Sequence, residues 1–236
     1  MKQAMSAIEE SIVEIDAALT EDRYRPGAWQ RLVEKVRLLP VAQRVELEER
    51  ISSLGNKLHK RHGFPQLGFP QALAGEILLF AAGLAVLLTG SDSLVVAAIG
   101  VGSLLLSAQP LIKIVVGLLL GVRYAYAYLW YIEPRFKMQY GSYLTTAPLG
   151  RVTLHLAGSL GTPLALLVGF ASLRDDFSAL SRICWDFFWI MLLIQIISFV
   201  AEWLGWGKVG SLRLSLLTSP ATAAMELKSL LTGARK

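Results

Sequence analysis

The chain has 236 residues, of which 54% are hydrophobic and 17% charged, well below the quarter usual for soluble domains. Its 23 Lys/Arg against 18 Asp/Glu give a net charge of +5, which suits an anionic lipid surface. A nucleic-acid binder would want a clustered basic face with interleaved aromatics in a soluble domain, and the sequence has none.

The charges are uneven. Residues 1–71 hold 11 of the 23 basic and 10 of the 18 acidic side chains, and the longer remainder is mostly apolar. The chain therefore divides into a polar N-terminal segment and a hydrophobic body. The first 20 residues carry Glu9, Glu10, Glu14 and Asp16 without an apolar core, so no cleavable signal peptide is expected and insertion relies on later spans.

Met5, Ile8, Ile12, Ile15 and Leu19 recur at spacings of three and four, one stripe of a helix. Tyr24-Arg25-Pro26-Gly27 signals a turn. Trp29, Leu32, Val33 and Val36 form a second stripe that stops at Pro40, and Leu47, Ile51, Leu54 and Leu58 a third. These stripes predict a helical bundle over 1–62, packed on itself or on a partner's coiled coil. A basic collar follows, Lys57-Leu58-His59-Lys60-Arg61-His62, suited to anionic head groups on the cytoplasmic side. With no third His, no Cys and no carboxylate nearby, His59 and His62 are not expected to bind metal.

The hydrophobic body, 63–206, predicts four membrane-spanning helices at about 73–89, 94–120, 152–173 and 183–203, each long enough to cross roughly 30 Å of hydrocarbon. Between the second and third, the period changes. Tyr124, Tyr126, Tyr128 and Trp130 alternate, Glu133-Pro134 breaks the run, and Phe136, Met138 and Tyr140 resume it, which predicts a hairpin over about 122–141 at the membrane surface. The fold class expected is an all-α polytopic membrane protein with this small β-hairpin and an N-terminal cytoplasmic bundle.

Charge placement supports four spans. Asp92, Asp175 and Asp176 then lie outside, while Arg123, Arg135, Lys137, Arg151, Lys208, Arg213, Lys228, Arg235 and Lys236 lie inside with both termini. A fifth span over Leu111–Ile132 would bury Arg123 in hydrocarbon, at a cost of about 3 kcal/mol or more. The setting expected is the inner or plasma membrane of a prokaryote. The tail, 207–236, is too polar to span. Leu212, Leu214, Leu216 and Leu217 are placed on the membrane surface, followed by a last amphipathic helix opening at Pro220, with Lys228 and Arg235 on its wet side.

Two sets of residues are candidates for function. Gln109 and Lys113 share a helix face beside the kink that Pro110 imposes, and His155 opens the third span ahead of Gly158 and Gly161. Polar groups inside a bilayer face protein or a water-filled cavity, so Gln109, Lys113 and His155 form a candidate intramembrane site. The competing reading gives Gln109 to the helix backbone, Lys113 to the membrane surface and His155 to an interhelical hydrogen bond. Glu76, Asp186 and Glu202 are expected to be merely solvated near an interface. The second set, Arg123, Glu133, Arg135, Lys137, Tyr140 and Tyr143, would present the hairpin to a membrane or cytoplasmic protein partner.

The order Gln109-Pro-Leu-Ile-Lys113, Gly117, Gly121-Val-Arg123, Glu133-Pro-Arg-Phe-Lys-Met-Gln-Tyr-Gly-Ser-Tyr-Leu144 and His155-Leu-Ala-Gly158 resembles divergent relatives of the site-2-protease-like intramembrane metalloproteases. The resemblance covers residues 94–165. That family places a His-x-x-x-His pair on a membrane helix, followed by a strand segment and a span of small residues. Here Gln109 and Lys113 stand where the two histidines would be. A cationic Lys repels a metal ion, no Glu accompanies the pair as general base, and no later Asp-Gly supplies a third ligand. The resemblance implies a member that has lost hydrolysis, with no metal and no cofactor. A serine nucleophile in Gly-x-Ser-Gly is absent as well. A non-catalytic scaffold, adaptor or assembly factor is the first expectation; a membrane enzyme or small-solute transporter using Gln109, Lys113 and His155 is the second.

Overall fold

The computed structural model describes residues 2–90, 92–130, 133–209, 212–213 and 217–233. These fall into two compact units, one of residues 1–69 with 121–147 and the other of residues 70–120 with 148–236. The hairpin segment thus groups with the N-terminal helices.

The first unit begins with α1 (Lys2–Thr20), α2 (Ala28–Arg37), α3 (Val41–Glu46) and α4 (Glu48–Lys60). The apolar stripes are its interior: Ile8, Ile12, Ile15, Leu32, Val36, Leu47, Ile51 and Leu54 are all buried. Helices α1 and α4 run parallel. Glu9 pairs with Arg50 at 3.1 Å and Asp16 with Lys57 at 2.7 Å, each 41 residues apart, and Asp22 beyond α1 pairs with Arg61. Leu47, the first residue of the third stripe, ends α3 and precedes α4, so two short helices follow Pro40.

The hairpin is present as β2 (Tyr124–Trp130) and β3 (Glu133–Met138), antiparallel, with a register shift between Tyr124 and Tyr126. A third strand, β1 (Gln66–Gly68), pairs antiparallel with β2 on its other edge, so the sheet has the order β1-β2-β3. Tyr140 does not continue the strand; it opens a short helix, α7 (Tyr140–Thr145). The cause is Gly141, whose amide donates to Ser52 Oγ at 3.0 Å and whose missing Cβ would lie 1.9 Å from the Glu48 carbonyl oxygen. Only glycine lets α7 lie this close to α4.

The second unit contains α5 (Phe69–Thr89) from Pro70 onward, α6 (Leu94–Leu119), α8 (Pro148–Ser172), α9 (Ser178–Leu204), a two-stranded ribbon β4–β5 (Lys208–Val209 with Leu212–Arg213) and α10 (Thr218–Gly233). Among the described residues, α5, α6, α8 and α9 are long and apolar enough to cross a membrane. Their bounds match the four predicted spans within a few residues. Helix α6 runs unbroken past Pro110, and the segment considered for a fifth span enters β2.

Half of the most apolar stretch of α8 is buried, against 17% for α9, so α8 is central and α9 presents Phe187, Trp189, Leu193 and Ile197 outward. An apolar exterior of this extent suits lipid rather than water. Glycines set the closest crossings. On α5, Gly83 lies against the backbone of Gly100 and Leu104 on α6; on α8, a Cβ on Gly161 would lie 2.3 Å from Gln109 Cα. Leu104, Ala108, Leu166, Leu173 and Cys184 fill the core between α6, α8 and α9.

The tail departs from the expected surface helix. Ala221, Ala223, Ala224 and Glu226 of α10 are buried, and α10 packs on α8 and α9. Alanines replace the bulky apolar stripe of an interfacial helix and let α10 sit close to its neighbours. Leu212 belongs to β5, while Leu214, Leu216 and Arg235 lie outside the described residues.

Candidate functional site

Two of the candidate intramembrane residues, Gln109 and Lys113, lie where α6 meets α8, and the third, His155, is on α8. Gln109 Oε1 accepts a hydrogen bond from Thr162 Oγ1 at 3.2 Å. Lys113 is half-buried, and its stem crosses Gly158, where a Cβ would lie 3.0 Å from Lys113 Cδ. His155, one turn before Gly158, is 5% exposed. Gln109 and Lys113 are therefore used in packing α6 on α8.

Sequence reasoning missed the polar face of α8 to which His155 belongs. Arg151, His155, Ser159 and Thr162 recur at spacings of four, four and three, one face extending roughly 16 Å along the helix. Arg151 Nε donates to Glu226 Oε2 of α10 at 2.8 Å, and both side chains are buried. Gln195 Nε2 of α9 donates to the Ser159 carbonyl at 2.6 Å, and Ser159 Oγ donates to the His155 carbonyl at 3.0 Å. The polar face thus meets α6, α9 and α10 in turn. A signal existed for Glu226: it follows the small residues Ala221, Ala223 and Ala224, which mark a close-packed helix face.

Glu76 is not solvated. It is 5% exposed, and its Oε2 has no hydrogen-bond partner among the described residues. It lies seven residues before Gly83, on the stripe of α5 that meets α6. Asp186 is exposed and Glu202 half-exposed, as an interfacial position implies. Among the described residues, no group of three or more His, Cys, Asp or Glu side chains is placed to hold a metal ion.

The second candidate set is spread over the first unit. Arg123 pairs with Glu48, and its amide donates to Ser142 Oγ at 2.9 Å. The Arg135 guanidinium stacks on Trp130, 3.7 Å from the ring centroid, and Lys137 lies 5.5 Å from the centre of the Tyr140 ring. Tyr140 packs edge-on against Trp29 at 5.4 Å and against Tyr143 at 5.8 Å. Tyr143 is 3% exposed, a core residue and not a contact surface. Glu133 pairs with Trp130 through the β2–β3 ladder.

One aromatic cluster stands out beside the sheet. His59 Nδ1 lies 3.0 Å from Tyr126 Oη, and the His59 ring meets Tyr128 edge-on at 4.3 Å. Phe64 stacks on both His62 and Tyr128. Burial, then Lys137, then His62 hold the His59 imidazole down at about 4, so it is neutral near pH 7. Burial likewise pushes Lys137 down to about 8 and raises the Tyr124 hydroxyl. No protein-family model matches this chain, and no curated protein or solved structure is similar to it.

Proposed function

We propose that this is a non-catalytic integral membrane protein that acts as a scaffold, adaptor or assembly factor. Both termini and the whole first unit lie in the cytoplasm, by the distribution of basic residues. In this reading the site-2-protease-like order of residues 94–165 belongs to a member without metal. The observation that carries the proposal is the use of Gln109 and Lys113. Gln109 is tied to Thr162 and the Lys113 stem fills the space over Gly158, so both are committed to holding helices together. The first unit, by contrast, exposes polar and apolar side chains on a small frame, with Leu38 87% exposed.

One observation favours a second reading, a membrane enzyme or solute transporter at Gln109, Lys113 and His155. It is the buried, unpartnered oxygen of Glu76. Site-specific photocrosslinking in cells separates the two. A photoreactive residue at Leu38 or Arg135 yields a discrete protein adduct if the first unit is an adaptor surface, and Lys113→Ala still complements a null strain. Absence of adducts at both positions, with loss of complementation by Lys113→Ala, would replace the adaptor with the intramembrane site.

A further inference from the structure

The cations of the first unit are used unevenly. Arg50, Lys57, Arg61 and Arg123 each pair with an acid on another segment: Glu9, Asp16, Asp22 and Glu48. Arg25, Arg31 and Lys35 make no ion pair among the described residues. These three line one cleft of about 600 Å³ between α1, the turn after it and α2. Its walls carry a single acid, Glu14, and a further cation, Arg23, already paired with Glu21. Ile15 and Leu32, both buried, contribute to the same wall.

We infer that this cleft is the docking site for an acidic segment of a partner protein. The inference rests on the adaptor reading and names the chemistry of its partner. Charge complementarity is the main argument: Arg25, Arg31 and Lys35 share one concavity with a single acid, Glu14, and this excess of positive charge repels itself unless a further anion is supplied. The arrangement of the charges selects the kind of anion. Arg31 and Lys35 are one helical turn apart, about 6 Å along the axis, and Arg25 lies beyond the start of α2. They form a row, which matches carboxylates spaced along a chain. A compact phosphate would want converging backbone donors at the start of α2. There the Ala28 amide already donates to the Arg25 carbonyl and the Trp29 amide to Tyr24 Oη. The volume is that of a ligand cleft rather than a packing defect.

The test uses the full chain in nanodiscs of neutral phosphatidylcholine. The probe is a fluorescein-labelled peptide with glutamates four residues apart and leucines between them, read by anisotropy. The wild type binds it, and binding weakens severalfold between low salt and about 0.3 M. The triple variant Arg25→Glu/Arg31→Glu/Lys35→Glu binds at least about tenfold more weakly, while Arg174→Glu in the loop before α9 binds normally. The milder Arg31→Gln/Lys35→Gln pair gives the same direction should the triple variant not fold. Equal binding by these variants, equal binding of a glutamine analogue of the peptide, or displacement by inorganic phosphate would each overturn the inference. So would preferential attachment of phosphatidylglycerol vesicles through the same residues. If a partner adduct at Arg135 survives in the triple variant while peptide binding is absent from the wild type, the cleft falls and the adaptor reading stands. If Leu38 and Arg135 give no adducts and Lys113→Ala fails to complement, the adaptor reading itself falls.

Discussion

Arg151 on α8 and Glu226 on α10 form an ion pair of 2.8 Å with side chains only 7% and 1% exposed. The pair fastens the tail helix to the most buried membrane helix. Removing one partner takes this bond from a charged group that is itself buried, so Arg151→Ala or Glu226→Ala should each destabilise the second unit by about 3–5 kcal/mol. The double variant Arg151→Met/Glu226→Leu should recover most of that loss, because the pair's desolvation cost disappears with it. Thermal unfolding in detergent checks this; additive losses in the double variant would show that the two side chains act separately.

The contact of Gly141 with α4 gives a second prediction. A Cβ there would lie 1.9 Å from the Glu48 carbonyl oxygen and 2.7 Å from Ser52 Oγ. The nearest obstacle is backbone and cannot swing aside. Gly141→Ala should therefore loosen α7 from α4 and destabilise the first unit by at least about 1–3 kcal/mol. Trypsin cleavage at Arg50 and Lys57 should accelerate accordingly. Gly102→Ala on α6, with open space around it, is the control and should leave cleavage unchanged.

His59 makes the first unit sensitive to acid. Its imidazole titrates near 6.5 when unfolded and is held down at about 4 in the fold, by burial first, then Lys137 and His62. The unfolded chain binds the proton more readily, so this contribution to stability is complete above about pH 6.5 and is lost as pH falls toward 4. His59→Gln should flatten the pH dependence of the melting temperature across that window. Lys137→Met should move the His59 resonance titration upward, toward 6.5. A His59 titration already near 6.5 in the wild type would contradict the burial seen beside Tyr126 and Tyr128.

Much of this architecture was legible in the chain. The long apolar runs gave the four helices that are long and apolar enough to cross a membrane. The alternation of Tyr124, Tyr126, Tyr128 and Trp130 gave the hairpin, because side chains two apart share a face in a strand and not in a helix. Strand β1 escaped notice since Gln66–Gly68 is three residues long, wedged between Pro65 and Phe69, and alternates nothing. The helical start at Tyr140 depends on where Gly141 meets Glu48, 93 positions earlier, and no local pattern carries that information. Glu226 was hidden in a tail whose average polarity suggests a surface. The pairing of Gln109 with Thr162 was foreshadowed by Gly158 and Gly161, which marked a close helix crossing without naming what lay across it. The row of Arg25, Arg31 and Lys35 looks unremarkable in sequence; it emerges only when neighbouring cations are seen to have acids and these do not.

A four-span topology, with the first unit and the tail on the cytoplasmic side, underlies the adaptor proposal. In a Cys184→Ala background, single cysteines at Leu38, Thr89, Arg174 and Thr232 test it with a membrane-impermeant maleimide. Cysteines at the Thr89 and Arg174 positions should label in intact cells, and those at Leu38 and Thr232 only in inverted vesicles. Labelling of Leu38 and Thr232 from opposite sides would mean an odd number of spans and would contradict this topology.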